Sequence, residues 1–220
     1  TRYIIKRRTK FSTSNIRIYK QITMNFLAHL YLSGDDERVK VGNFIGDFVK
    51  GKKYMEYPQQ IQKGILMHRD IDSFTDRHPL FLNSKHIFEP TYGRYSGVMT
   101  DILYDHFLSV HWSMYSKIER VRFINNFHIL IWRYSFLIPV STKKLLPALV
   151  FRNWMLRYIS LYGIEKVYAR MSYRTSLPDY TKKAMIIIND NYKNFEKDFL
   201  LFFPEIKDYI SKMYGIRYVK

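Results

Sequence analysis

Three features of the chain predict an all-α fold in a single compact domain. From Met24 onward apolar residues recur at intervals of three and four, glycine-bearing turns are few, and no stretch alternates apolar with polar residues. Two hundred and twenty residues at 47% hydrophobic and 17% aromatic can bury a sizeable core, which excludes disorder over most of the chain. The longest apolar stretches (129–132, 136–140 and 199–203) fall well short of the about 18 uncharged residues that a membrane span requires.

The elements follow in order. Residues 25–32 read as a short apolar helix, broken by Gly34, Asp35 and Asp36. A second helix is expected over 39–49, closed by Gly51. Pro58 suits the first turn of a third, running through Ile61, Ile65, Leu66 and Ile71 to about Thr75 and ended by His78-Pro79. A loop with Pro90 and Gly93 is expected next. Residues 95–112 read as a fourth helix, and 118–138 as a fifth stopped by Pro139. Residues 142–162 read as a sixth, interrupted near Pro147. Helices over 164–172 and 179–203 complete the set, with Pro204 opening a final turn or helix. No internal repeat or low-complexity tract is present.

Charge and cysteine content bound the function. With no cysteine there is no disulfide, no thiolate zinc site and no cysteine nucleophile, so a metal would be held by His, Asp, Glu and carbonyl oxygens. That points to the harder metals and to a reducing compartment, the cytoplasm. Thirty-six Lys and Arg against 19 Asp and Glu give +17, a field that attracts a polyanion, an anionic surface or an acidic protein. Residues 1–23 carry seven of the basic residues and no acid, and are expected to be a non-functional extension ahead of a natural start at Met24. Without them the body keeps 29 basic residues against 19 acidic, or +10.

Three apolar segments concentrate His and Asp, where an unpaired polar group is costly. The first holds His29, then Asn43 and Asp47, four apart on one helix face. The second is His68-Arg69-Asp70-Ile71-Asp72, continuing to Asp76, with His68 and Asp72 again four apart. The third is Asp101-Ile102-Leu103-Tyr104-Asp105-His106, followed by His111. Alone, His29 is an ordinary hydrogen-bonded core histidine, Asn43 with Asp47 a capping network, and His68 with Asp72 a surface pair. Asp101 is then an early-turn acid favoured by the helix dipole. Together they differ, because converging carboxylates repel unless a divalent cation compensates them, and such a cation uses both ligand types.

Four ordered motifs carry a family resemblance: Met24-Asn25-Phe26-Leu27-Ala28-His29-Leu30; Gly42-Asn43 with Asp47-Phe48-Val49 and Gly51; His68-Arg69 with Ile71-Asp72 and Phe74-Thr75-Asp76; and Asp105-His106-Phe107-Leu108 with His111-Trp112. They resemble the acyl-carrier-protein phosphodiesterases, an all-α branch of the HD-type metal phosphohydrolases, and Arg170-Met171-Ser172 with Arg174 resembles that family's late motif. The adjacent His-Asp pair that names the wider class is not present in that order here. The resemblance implies hydrolysis of the 4′-phosphopantetheine arm from holo-acyl carrier protein, with manganese or magnesium as the cofactor. Asp47, His68, Asp72, Asp105 and His106 match its acidic and histidine motifs, with His29 and Asp76 as further metal candidates. Asp47 and His106 are the catalytic candidates, His106 by ligation or proton transfer, and Arg69 is a candidate phosphate clamp.

The basic surface then has a partner, since acyl carrier proteins are strongly acidic. Lys50, Lys52, Lys53, Arg170 and Arg174 are the candidate substrate-binding residues, with Arg152 and Arg157 beside them. Two other functions compete. An HD-type phosphohydrolase of nucleotides or other small phosphodiesters would use the same metal, whereas a basic helical nucleic-acid-binding module explains +17 but leaves the buried Asp and His without a purpose.

Overall fold

A computed structural model describes residues 26–143, 154–174 and 179–218. The expectations for residues 1–23, for the start at Met24, for the interruption near Pro147 and for Arg152 lie outside the described residues, as does the side chain of Arg174. Among the described residues every regular element is a helix and no strand occurs. The fold is all-α.

The first helix, α1 (Phe26–Leu32), is buried on every side, as its continuously apolar sequence demands. Helix α2 (Glu37–Ile45) starts at Asp36, whose carboxylate accepts the backbone N–H groups of Arg38 and Val39. It does not run to Val49. The chain tightens at Gly46–Phe48 into a 3-10 turn, and a second 3-10 segment covers Gly51–Glu56. Helix α3 (Gln59–Thr75) follows directly behind Pro58. Helices α2 and α3 form the most intimate pair in the molecule, because a Cβ on Gly42 would collide with the Ile61 carbonyl oxygen and one on Gly64 with that of Val39. Only glycine lets the two backbones touch.

Residues 79–92, expected as a loop, form helix α4 (Pro79–Tyr92). Its two prolines stand at opposite ends of the helix. Pro79 occupies the first turn, where no N–H is needed, and Pro90 lies in the last turn, where a single bond is lost. Phe81, Ser84, Phe88 and Tyr92 form its buried stripe. Helix α5 (Ser96–Val110) comes next, then a single turn at Trp112–Tyr115. Helix α6 (Arg120–Arg133) is shorter than its sequence suggested and passes into a 3-10 turn at Ser135–Leu137. Of the helix expected over 142–162, the described parts are a turn at Val140–Lys143 and a 3-10 segment at Trp154–Ile159. Helix α7 (Leu161–Arg174) then begins three residues earlier than expected.

The last helix, α8 (Thr181–Tyr214), runs 34 residues straight through Pro204 instead of restarting there. An interior proline costs a helix about 3 kcal/mol. Phe199, Phe202, Phe203, Ile206 and Ile210 on its two sides are all buried, each stabilising by about 1.5–3 kcal/mol, so packing outweighs the lost bond. Gly215, at φ +66°, ends the helix in the left-handed region. Helix α8 packs along α3, α4, α5 and α7, while α1 lies between α2 and α5. The polar cluster sits where α1, α2 and α3 meet.

Candidate metal centre

Helix α1 is placed by its own N-terminus. The Asp105 carboxylate, fully buried on α5, accepts the N–H of Leu27 at 3.0 Å and of Ala28 at 2.9 Å. These are two of the donors that any helix start leaves unpaired. One turn on, His29 faces α2 and α3.

Asn43 organises what His29 meets. Its Nδ2 donates to the His29 carbonyl at 3.1 Å and to Ser33 Oγ at 2.9 Å, which fixes the amide orientation. Ser33 Oγ in turn donates to the same His29 carbonyl at 2.8 Å. The Asn43 Oδ1 therefore faces two imidazoles, with His29 Nδ1 at 2.8 Å and His68 Nδ1 at 3.1 Å. An amide oxygen only accepts, so both Nδ1 atoms carry hydrogen, and in the neutral rings both Nε2 atoms present lone pairs. The two rings lie 4.4 Å apart, centre to centre. The His68 ring fits because position 46 is glycine, where a Cβ would strike the imidazole.

Those lone pairs point at carboxylates. His29 Nε2 lies 3.2 Å from Asp72 Oδ1, and His68 Nε2 lies 3.3 Å from Asp72 Oδ2 and 3.5 Å from Asp47 Oδ1. Each Nε2 is buried, and neither forms a hydrogen bond with the oxygens beside it. Charge builds on the same spot. Burial opposes a proton on His29, but the nearby Asp72 carboxylate overrides it, and the net shift is upward. Burial likewise opposes charge on Asp72, and His29 overrides it to bring that carboxyl down. Burial, then the charges of Asp72, Asp76, Asp105 and Asp47, push Asp101 well above the ordinary carboxylate range. For Asp76 the causes of a rise are burial and then Asp72.

The arrangement has the chemistry and spacing of a candidate cation site. Ligands held about 2.1 Å from a hard divalent ion and at right angles stand about 3 Å apart, near the separations between the Nε2 atoms and the carboxylate oxygens. Ligand atoms of His29, His68 and Asp72 all lie within 4.8 Å of one another. Asn43 holds the far nitrogen of both imidazoles with an amide oxygen, as a carboxylate or backbone carbonyl holds that of many metal-binding histidines.

The other sequence-predicted residues are placed as follows. Asp105 spends both oxygens on α1, and burial pushes its carboxyl up to about 8 against those two N–H bonds. His106 Nδ1 donates to the Tyr158 carbonyl at 2.6 Å and Nε2 accepts from the Tyr192 hydroxyl at 3.0 Å, so neither nitrogen is open. The Arg69 guanidinium donates to the carbonyls of Val49 at 2.8 Å and Gly51 at 2.9 Å. Asp76 caps the end of α3, exposed. Lys50 Nζ lies 3.9 Å from Asp47 Oδ1, and Lys52 and Lys53 are exposed on the segment that follows. Arg157 is exposed, and Arg170 is half-buried on α7, an element that packs on α5 and α8. Asn43 and Asp101 were visible in the sequence as partners of Asp47 and Asp105, but nothing there assigned Asn43 the task of aligning two imidazoles.

A family model described as acyl carrier protein phosphodiesterase matches residues 24–206. Three relatives bear that name. The one from Photorhabdus laumondii subsp. laumondii is 32% identical over 182 residues, 82% of this chain and 92% of its own. That from Yersinia pestis is 33% identical over 182 residues, covering 82% and 94%. That from Enterobacter sp. (strain 638) is 30% identical over 187 residues, covering 83% and 95%. No solved structure matches this chain. With the matched region running from just before α1 well into α8 and enclosing every residue of the His29, Asn43, His68 and Asp72 cluster, the chain belongs to the acyl carrier protein phosphodiesterase family.

Proposed function

We propose that this protein is a metal-dependent phosphodiesterase that hydrolyses 4′-phosphopantetheine from holo-acyl carrier protein, releasing apo-protein and the free phosphate monoester. One observation supports the reading beyond the family match: Asn43 turns two buried imidazole nitrogens toward the Asp72 and Asp47 carboxylates, a donor set that suits a cation. His29, His68, Asp72 and Asp47 would hold the metal, and manganese or magnesium suits a donor set of nitrogen and oxygen without sulfur. A bound divalent ion supplies Lewis acidity toward the phosphoryl oxygens and lowers the pKa of water.

The chain's own groups do the rest. Asp47, reaching the centre from the turn after α2, would take a proton from the attacking water. Lys50, beside it and largely exposed, would offer a cation to the anionic diester. The phosphorus–oxygen bond to the carrier-protein serine breaks, and that serine oxygen ends protonated. Asp105 and His106 support the site instead of touching the substrate, one by fastening α1 and the other by tying α5 to α8 through Tyr192. Ligands on the inner faces of packed helices, with no thiolate among them, are what supports an HD-type relationship. The extension over residues 1–23 is proposed to be dispensable for this chemistry.

Intact-mass measurement of holo-acyl carrier protein tests the reading. Incubation with chelator-treated protein should leave its mass unchanged, and restoring manganese should produce the loss of one phosphopantetheine group. Carrier protein that keeps its full mass under every metal condition would overturn it. Hydrolysis of nucleotide diesters in its place would favour the small-substrate alternative.

A further inference from the structure

Residues 49–57 form a loop beside the metal-binding cluster, and α3 holds it at both ends. At its start, Arg69 donates to the Val49 and Gly51 carbonyls and lays its guanidinium over the Tyr54 ring, 5.3 Å from the ring centre. At its end, Gln62 Nε2 donates to the Tyr57 carbonyl at 2.8 Å and reaches the Met55 carbonyl at 3.4 Å. Gln62 and Arg69 are seven residues apart, two turns on one face of α3. Gly51, at φ +58°, supplies the left-handed residue with which the segment turns.

What the loop displays does not serve its own packing. Lys50, Lys52 and Lys53 point outward with Glu56 as the one acid among them, and Met55 is 58% exposed. A backbone pinned at two ends while its side chains face solvent is preorganised for a partner, because the cost of ordering it is already met before contact. The loop leads directly away from Asp47, so a macromolecule seated on it lies next to the metal ligands. Three lysines around an exposed thioether fit an acidic protein surface with an apolar centre.

We infer that residues 49–57 are the docking element for the acidic carrier protein, with Met55 as its apolar anchor, and that Arg69 is a positioning residue which latches this loop and does not clamp the phosphate. This inference rests on the proposed reaction for its partner. A lysine at position 69 would not replace the latch in full, since it has no planar guanidinium to lay over the Tyr54 ring while donating to both carbonyls.

The test compares wild type with Arg69→Gln, Met55→Glu and the double variant on three readouts. With holo-acyl carrier protein as substrate, each single variant should raise KM about tenfold while kcat falls less than about threefold, the pattern of lost docking. Binding of fluorescently labelled apo-acyl carrier protein, followed by anisotropy, should weaken by a similar factor. The double variant should be little worse than the weaker single one, because both act through one loop. Turnover of bis-p-nitrophenyl phosphate, which is too small to span the loop, should change less than the carrier-protein KM. If kcat collapses on both substrates in Arg69→Gln, Arg69 acts on the phosphate and the inference fails. It fails equally if neither variant moves KM or anisotropy. Wild type that binds the apo-carrier but never removes the arm would defeat the proposed reaction, with the anisotropy series still deciding the docking assignment.

Discussion

The cluster on α1–α3 and the one on α5 are written in the same letters, histidine and aspartate at helical spacing in apolar surroundings, yet they are finished differently. On α5, His106 gives Nδ1 to a carbonyl and takes a hydroxyl on Nε2, and Asp105 gives both oxygens to backbone N–H groups. Those groups have hydrogen bonds in the folded chain, and the arrangement is stable as a neutral imidazole and a helix-capping carboxyl. Where α1, α2 and α3 meet, Asn43 fills one nitrogen of each ring and leaves the other facing carboxylates. Residue type therefore does not separate a structural histidine from a ligand. The second nitrogen does.

Breaking the contrast from its functional side should give the largest effect. His68→Ala and Asp72→Ala are each expected to lower metal-dependent turnover by about a thousandfold or more, as removing one member of a catalytic unit does, while the chain stays folded. Metal content and kcat measured on the same samples check this. A chelator should lower the melting temperature of wild type and leave that of His68→Ala where it was.

On the other side the effect should appear in stability. Asp105→Ala leaves two buried N–H groups unpaired, at about 1–3 kcal/mol each, so a loss of several kcal/mol is expected in chemical denaturation. If that variant instead keeps its stability and loses its metal, Asp105 belongs with the first cluster.

Asn43 sharpens the comparison, since it is what makes His29 and His68 differ from His106. Asn43→Leu should weaken metal binding by about 10–100-fold, and Asn43→Asp, which still accepts from both Nδ1 atoms, should bind metal more tightly than Asn43→Leu does. Titration calorimetry with manganese distinguishes them. The smallest effect is expected for His106→Gln, about 1 kcal/mol in stability for a hydrogen bond lost or lengthened, with metal affinity unmoved.

Much of this was open to a reader of the sequence, and what was hidden has a common cause. The spacing of His68 and Asp72 along one face of α3 and the apolar run around His29 are local facts, and they mark the cluster. The partners of Asp105 lie 77 and 78 positions away, so only the folded chain shows that its oxygens are occupied. Helix α4 was hidden because Pro79 and Pro90 punctuate a segment whose stripe of Phe81, Ser84, Phe88 and Tyr92 is regular. Pro204 misled in the same way, since the aromatic residues around it outweigh one missing bond. The Lys50 to Lys53 run was legible as charge, but its fastening by Arg69 was not, because carbonyl acceptors leave no mark in a sequence.

The contact of Gly42 with Gly64 couples two properties usually tuned apart. Asn43 adjoins one glycine and His68 follows the other by one turn, so the ligand set is built across a seam with no side chain to cushion it. Any widening there is passed undamped to the distance between Asn43 and the His68 ring. If the proposed ion binds there, its affinity and the stability of the fold are linked: saturating metal at about 100 times its dissociation constant would add about 2.7 kcal/mol to the folded state. An alanine at either glycine should weaken metal binding and fold stability together, because its Cβ would strike a backbone carbonyl of the facing helix.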